Sequence, residues 1–273
     1  MIGAQAGLGT ALMVFANVWF RHTIFLFYPL SNVLITTSAI TGYGVDELAI
    51  RQAPVAAFMV AVGAAILWPH LRGASAGDGG GRVLAPLTPI VVALSAAIVL
   101  RYGLTYLAMP LGVAAGAASI WAVSRPGLRD LLRALSGPRA VGLAVAGFTI
   151  ILIQKSFVLS GASDAVASLA ASSGLPLVVL EVGLPAVIGT LTGSPLTGIV
   201  TSLPILSSIA PLSIRDVSLV YVSSIVSYIG SPAHLCLVYT AQYFGEPVTT
   251  QYRYMIPAIA LTMAFAIALY LLW

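Results

Sequence analysis

The chain has 273 residues, of which 59% are hydrophobic and 7% charged, and its mean hydropathy is +1.03. A soluble domain carries about 25% charged residues, so this composition argues against a water-soluble enzyme, a nucleic-acid-binding protein and a disordered protein. The formal net charge is only +4, and the single cysteine, Cys236, excludes a disulfide within the chain.

Eight windows contain no Asp, Glu, Lys or Arg, and they cover residues 1–20, 22–45, 52–71, 83–100, 102–124, 182–214, 217–245 and 254–273. A membrane-spanning helix needs about 20 mostly apolar residues. Because lipid offers no hydrogen bonds, backbone polar groups must be paired within the spanning element. The windows therefore predict an all-α, polytopic protein embedded in a lipid bilayer.

The N-terminal part of the chain resembles its C-terminal end. Arg51 and Pro54 are followed by an alanine-rich apolar stretch that ends in Leu-Trp, and Arg253 and Pro257 are followed by another. A histidine lies in the apolar window before each stretch, in NVWFRH and in GSPAH, although aligning these histidines requires a gap. The similarity predicts an internal repeat.

This repeat predicts the role of the first 70 residues. Residues 1–70 are expected to be the remnant of a first repeat, formed by a discontinuous helix and one span. Its break is predicted at Asn17, Arg21 and His22, which match the second break in the histidine alignment.

Two polar segments, residues 71–82 and 125–139, set the expected orientation. The first is a glycine-rich linker, and the second reads as a short interfacial helix. Two apolar windows separate them, so both lie on one side of the membrane, and together they contain six arginines. The positive-inside rule makes that side the cytoplasmic face, here of a prokaryotic inner membrane. Arg51 then falls outside and Arg253 inside, so the two repeats are predicted to be inverted.

Residues 83–273 are expected to form the complete second repeat, with a re-entrant hairpin at 175–212 and a discontinuous helix at 217–245. This repeat has 134 residues (216 − 82) between the linker and its discontinuous helix, whereas the first copy has almost none. We therefore expect a chain that begins inside its first repeat.

Two matching tripeptides interrupt these apolar windows, Gly193-Ser194-Pro195 and Gly230-Ser231-Pro232. Glycine frees the backbone and proline breaks the preceding helix, while Ser-Pro suits an N-cap followed by the first helical residue. Each Ser-Pro is therefore predicted to begin a half-helix near the middle of the membrane, and this places His234 third in its half-helix.

These breaks carry the candidate chemistry. A half-helix N-terminus has free N–H donors and roughly +0.5 charge, which attracts an anion. Opposing carbonyls suit Na⁺, for which Gly193, Ser194, Gly230 and Ser231 are candidates, and H⁺ is the other possible coupling ion. No other metal and no cofactor is expected. The alternative reading is a packing kink, where small residues also collect. The candidate substrate- and ion-binding residues are Asn17, Arg21, His22, Thr192, Gly193, Ser194, Pro195, Thr197, Gly230, Ser231, Pro232 and His234.

Three of these residues have alternative interpretations. Arg21 suits a substrate carboxylate, but it also suits snorkelling to the cytoplasmic surface. His234 suits a hydrogen bond to substrate or a proton transfer, and it equally suits a structural role, while His22 is both a candidate binding residue and a candidate hydrolase base.

The stretches NVWFRH with FYPL, GTLTGSPLTG with SLPIL, and YIGSPAHLCLVYTAQYF resemble an uncharacterised prokaryotic membrane family called domain of unknown function 401. That family is grouped with the ion transporter superfamily, which includes gluconate and citrate permeases. The resemblance implies two inverted repeats, each with a re-entrant hairpin and a discontinuous helix, and it implies a homodimer. The family's first hairpin has no counterpart in this sequence.

The favoured function is a secondary transporter, not an enzyme, that carries a small organic anion with Na⁺ or H⁺. One alternative is a non-transporting membrane scaffold or accessory subunit. Another is an intramembrane serine hydrolase, which would use Ser231 or Ser194 with His234 or His22.

Overall fold

The computed structural model describes residues 8–28, 31–71, 92, 95–96, 99–100, 108–125 and 127–272. No strand occurs among these residues, and the protein is an all-α membrane protein. The helices are α1 (Thr10–Phe27), α2 (Asn32–Thr41), α3 (Val45–Leu71), α4 (Ala108–Ser124), α5 (Leu128–Ser136), α6 (Pro138–Leu159), α7 (Ala162–Ser172), α8 (Leu177–Thr192), α9 (Pro195–Ile209), α10 (Ile214–Ile229), α11 (Leu235–Phe244) and α12 (Tyr252–Leu272).

Three described stretches are long and apolar enough to cross a membrane: Thr10–Thr41, Val45–Leu71 and Tyr252–Leu272. Shorter apolar helices, α8, α9 and α11, accompany them. Several helices are too short to cross a bilayer alone, which fits chain segments that enter the membrane and turn within it.

The chain forms two compact units, residues 1–74 with 142–273, and residues 75–141. In the second unit, α4 is a long apolar helix, and α5 follows it with the exposed side chains of Arg129 and Arg133. The predicted short helix in 125–139 is therefore present. The predicted linker 71–82, except for Leu71, lies outside the described residues, as does most of the window 83–100.

In the larger unit, α10 is the central helix. Every residue from Val217 to Ile229 except Ser227 is buried, and α10 packs against α8, α9, α12 and α1. The core continues through Phe15 and Trp19 on α1, whose indole donates to the carbonyl of Met59 on α3 at 2.8 Å. The apolar sequence of α10 thus follows from its position inside the unit.

Helices near the two ends of the chain share a spacing that needs no gap. Helices α2 and α11 each have ten residues, and each ends at a glycine with positive φ, Gly42 and Gly245. These glycines are 203 positions apart (245 − 42), and Pro54 inside α3 and Pro257 inside α12 are separated by the same 203 positions. The equivalent helices are therefore α1 and α10, α2 and α11, and α3 and α12.

Equivalent helices of the two copies run in opposite directions where they meet. The rings of Phe58 on α3 and Phe265 on α12 stack at 4.1 Å, and the hydroxyl of Tyr270 donates to Oε1 of Gln52 at 2.7 Å. Gln52 comes before Phe58 on α3, whereas its partner Tyr270 comes after Phe265 on α12. The two helices are therefore antiparallel.

The contacts between the repeats also occur in related pairs. Thr10 donates to Glu246 from the start of α1, and Tyr43 donates to the carbonyl of Leu212 just before α10 at 3.1 Å. Glu246 is 203 positions after Tyr43, and Leu212 is 202 positions after Thr10. The two contacts are thus related by nearly the same spacing.

Candidate functional site

The first Gly-Ser-Pro tripeptide forms the turn of a helical hairpin. Helix α8 ends at Thr192, Gly193 has a φ of +59°, and α9 begins at Pro195. Ser194 is the N-cap, and its Oγ accepts from the backbone N–H of Thr197 at 3.2 Å and from the Thr197 hydroxyl at 3.0 Å. This half-helix begins as the sequence predicts, with serine as the cap and proline as the first helical residue.

The second tripeptide also interrupts a helix, but the new half-helix begins later than predicted. Helix α10 ends at Ile229 and α11 begins at Leu235, so His234 is the N-cap and not the third helical residue. Ser231 is therefore not a helix cap, and Pro232 is not a first helical residue. The reason lies in the Ser231 hydroxyl, which donates to the carbonyl of Thr190 and accepts from the N–H of Ala233 at 3.0 Å.

The two breaks lie against each other. A Cβ added to Gly193 would meet the carbonyl oxygen of Ala233 at 2.4 Å, so the two backbones approach as closely as glycine permits. The bond from Ser231 to Thr190 joins the same two breaks. Helices α9 and α11 therefore begin side by side.

The predicted break at Asn17, Arg21 and His22 is wrong. Helix α1 is continuous through all three residues, and the helix ends only at Phe27. The physical reason is that α1 contains neither glycine nor proline, whereas Pro29 follows its end and disfavours helical backbone in the residue before it. Tyr28 and Ser31 have extended backbone, while residues 29–30 lie outside the described residues.

Nevertheless, α1 brings these residues close to the second break. His22 is fully buried, and its ring centroid lies 4.6 Å from that of His234. Arg21 is exposed and directly precedes His22 on α1. Asn17 donates to Oγ1 of Thr240 at 3.1 Å. Thr240 lies on α11, more than one helical turn beyond the second break.

The two histidines present the same arrangement. Nδ1 of His22 lies 2.6 Å from the carbonyl oxygen of Val18, and Nδ1 of His234 lies 3.0 Å from that of Ile229. A carbonyl only accepts, so each neutral ring carries its proton on Nδ1 and a lone pair on Nε2. Both Nε2 atoms are buried, and neither has a hydrogen-bond partner among the residues that the structure describes.

Sequence reasoning missed the third member of this cluster. Cys236 lies two residues after His234, and one ligand atom from each of His22, His234 and Cys236 lies within 4.8 Å of the other two. The His-x-Cys spacing is visible in the sequence. The participation of His22 is not, because it is 212 positions (234 − 22) away and has no local signal.

The hydroxyls proposed as Na⁺ ligands already have partners. Ser194 Oγ accepts two hydrogen bonds from Thr197, and Ser231 Oγ both donates and accepts. Gly230 packs against α12, since an added Cβ would meet Ile259 Cδ1 at 2.7 Å. A cation at Ser194 therefore has to displace a bond from Thr197, whereas Ser231 Oγ accepts only one hydrogen bond and keeps one lone pair.

The same bonds bear on the hydrolase alternative. Ser231 donates to a backbone carbonyl, and Nδ1 of His234 faces a different carbonyl, so this serine and histidine do not form a nucleophile–base pair. Ser194 is engaged with Thr197.

A second group of polar residues lies at the other end of α10. Glu181 is buried, and it lines a cavity with Arg215, Asp216 and Tyr270. Asp216 belongs to the first turn of α10, and the 16 residues of this helix span about 24 Å. Glu181 is therefore remote from the two breaks.

A family model described as "Protein of unknown function (DUF401)" matches residues 7–272. No curated protein matches the chain, and no solved structure does.

Proposed function

Since the chain belongs to the DUF401 family, whose function is unknown, we propose from its geometry that it is a secondary transporter of a small organic anion, coupled to Na⁺ or H⁺. The observation that carries the proposal is the contact between Gly193 and Ala233, which places the N-termini of α9 and α11 side by side. Each N-terminus favours negative charge, and two together favour it more.

A cation near these helix ends supports an anionic substrate. Arg21 is exposed on α1, within electrostatic reach of His234 at the start of α11. An arginine in an apolar helix is costly, and it binds carboxylates with two parallel hydrogen bonds. We therefore assign Arg21 to the substrate carboxylate, with Thr192, Ser194 and Thr197 near the hairpin end of the site.

The arrangement of the repeats favours the interpretation of the breaks as a transport site rather than as a packing kink. Antiparallel copies with interrupted helices are the architecture of many secondary transporters. The resemblance of GTLTGSPLTG and YIGSPAHLCLV to the ion transporter superfamily points the same way, and it makes sugar acids and di- or tricarboxylates the first substrates to test.

Uptake into proteoliposomes tests this proposal. The chain is reconstituted, and labelled gluconate, citrate and succinate are supplied with an inward Na⁺ gradient, an inward H⁺ gradient or no gradient. We expect uptake of at least one anion that depends on a gradient. Arg21→Gln should raise KM at least tenfold, because loss of a charge-assisted bond costs about 1.5–3 kcal/mol.

Arg253→Gln is the matched control. Arg253 is also an exposed arginine, but it lies beyond the C-terminal end of α11, whereas the break lies at the N-terminal end. The KM of the Arg253→Gln variant should be unchanged. Absence of uptake for every anion, or equal effects of the two substitutions, would contradict the proposal.

A further inference from the structure

We propose that His22, His234 and Cys236 bind a monovalent soft metal ion, Cu⁺, between the two repeats. His22 lies on α1 of the first repeat, while the other two residues lie at the start of α11 in the second. The proposal concerns a resident ion, and it does not depend on the transport of an anion.

The histidines are oriented as metal ligands are. Ligating histidines usually donate their other ring N–H to a carbonyl or carboxylate, which fixes the tautomer and the ring orientation. Val18 and Ile229 supply those carbonyls here, and the remaining Nε2 lone pairs have no partner within the described part of the chain. His22 is 0% and His234 2% exposed, so water does not readily supply the missing bonds. Two buried, unpartnered nitrogens in one cluster are costly unless something binds them.

Cys236 completes a three-ligand set. One ring nitrogen of each histidine and the Cys236 sulfur lie within 4.8 Å of one another, whereas ligands about 2.0–2.3 Å from a metal in a trigonal site are separated by about 3.5–4 Å. Binding therefore requires a contraction of about 1 Å, which side-chain rotation can supply. Cys236 is the second residue of α11, where the helix dipole favours negative charge on sulfur.

The net charge of the occupied site favours Cu⁺ over Zn²⁺. The ligand must be a thiolate, so the thiol proton leaves to solvent when the ion binds. Cu⁺ with one thiolate and two neutral imidazoles has no net charge. Zn²⁺ would leave one positive charge in a buried site that lies next to Arg21, the residue before His22. Three soft or borderline ligands also suit Cu⁺, whereas Zn²⁺ prefers four.

Other groups around the site are compatible with this ion. The Tyr228 ring lies 4.4 Å from the His234 ring and 5.5 Å from the His22 ring, measured between centroids, so it covers the pair. The Phe25 ring lies 5.3 Å from that of His22 on the same helix. An aromatic shell excludes water from the site, and this stabilises an uncharged metal centre.

A competition titration tests the site. The purified chain in detergent is stripped of metal, reduced with ascorbate without oxygen, and titrated with Cu⁺ against a chromogenic Cu⁺ chelator. We expect one Cu⁺ per chain, and X-ray absorption should show about two nitrogen ligands and one sulfur ligand. His22→Gln, His234→Gln and Cys236→Ser should each weaken binding on the order of a hundredfold or more.

His70→Gln is the matched control. His70 is the third histidine of the chain; its Nδ1 also faces a helix carbonyl, but its side chain is exposed and lies outside the cluster. The His70→Gln variant should bind Cu⁺ with the same affinity as the unsubstituted chain. The thermal unfolding of each metal-free variant shows whether the fold is kept, and a second set, His22→Asn and His234→Asn, replaces any variant that unfolds.

Three results would overturn the proposal: no binding of Cu⁺ by the unsubstituted chain, unchanged affinity in both histidine variants, and displacement of Cu⁺ by equimolar Zn²⁺. The titration measures no uptake, so a failure of anion transport and a failure of metal binding are distinguishable.

Discussion

Gly193 satisfies two separate requirements with one residue. Its φ of +59° is a left-handed conformation that costs other residues about 1–2 kcal/mol. Its missing Cβ also makes room for the carbonyl of Ala233, which would lie 2.4 Å from that atom. Gly245 has a similar φ of +71°, but an added Cβ there would meet nothing within 4 Å. Gly245 therefore satisfies only the requirement for left-handed backbone, whereas Gly193 satisfies that requirement and also permits the close approach.

We predict that Gly193→Ala destabilises the protein more than Gly245→Ala. The second substitution should cost about 1–2 kcal/mol from backbone strain alone. The first adds the cost of overpacking, about 1–3 kcal/mol, because a backbone atom cannot rotate away. Unfolding of both variants in detergent, followed by tryptophan fluorescence, measures the difference. Equal losses would show that the two breaks do not touch.

At the scale of elements, hydroxyl groups attach the hairpin to the central helix. On α10, Ser223 donates to the carbonyl of Val182 at 2.6 Å, and Ser224 donates to the carbonyl of Pro195 at 2.8 Å. Gly198 on α9 faces Ser224, and a Cβ there would lie 2.2 Å from Oγ. Small residues thus permit the close packing that these bonds need, as is common between helices in membranes.

A double-mutant cycle tests this attachment. Gly198→Ala should cost about 1–3 kcal/mol by overpacking, and Ser224→Ala about 1 kcal/mol from the lost hydrogen bond. The double variant should lose less than the sum of the two, because the new methyl group occupies the space left by Oγ.

Gly183→Ala on α8 is the control for this cycle. An added Cβ at Gly183 meets nothing within 4 Å, so the substitution should stabilise the helix by about 0.5–1 kcal/mol. Additive losses in the cycle would show that Gly198 and Ser224 do not share this space.

At the scale of the whole molecule, the spacing of 203 positions relates two antiparallel copies. Asp46 lies in the first turn of α3 and Thr249 lies in the turn just before α12, and these two residues are also 203 positions apart (249 − 46). Both of these residues are exposed. If α3 and α12 both cross the bilayer, their first turns lie at opposite faces.

We predict that cysteines at these two positions label from opposite sides. In a Cys236→Ala background, Asp46→Cys should react with an impermeant maleimide in intact cells. Thr249→Cys should react only after permeabilisation, because the positive-inside rule places Arg253 in the cytoplasm. Labelling of both cysteines from the same side would be incompatible with inverted copies.

Much of this architecture is predictable from the sequence, because its causes are local. The apolar windows predict the membrane helices, and Gly-Ser-Pro predicts both the hairpin turn at Gly193 and the interruption of α10. The N-terminal break is not predicted correctly from the shared histidine, because a histidine imposes no backbone conformation. The backbone signals, Pro29 and Gly42, align with Pro232 and Gly245 without a gap.

The remaining features depend on contacts that no local pattern contains. His234 rather than Ser231 caps α11 because the Ser231 hydroxyl binds Thr190, 41 positions away (231 − 190). The cluster of His22 with Cys236 similarly requires α1 to pack against α11. Sequence reasoning supplies the residue types for such sites, and the fold determines which of them meet.

The tight approach of Gly193 to Ala233 has a mechanical consequence. The two backbones are in contact, and a serine hydroxyl bridges them. No flexible side chain lies between them that could adjust if one backbone moved relative to the other. The hairpin tip and the interruption beside it therefore form one rigid body, and a displacement of either carries the other. We therefore expect conformational change in this region to involve α1, whose contacts with α11 include the side-chain bond between Asn17 and Thr240.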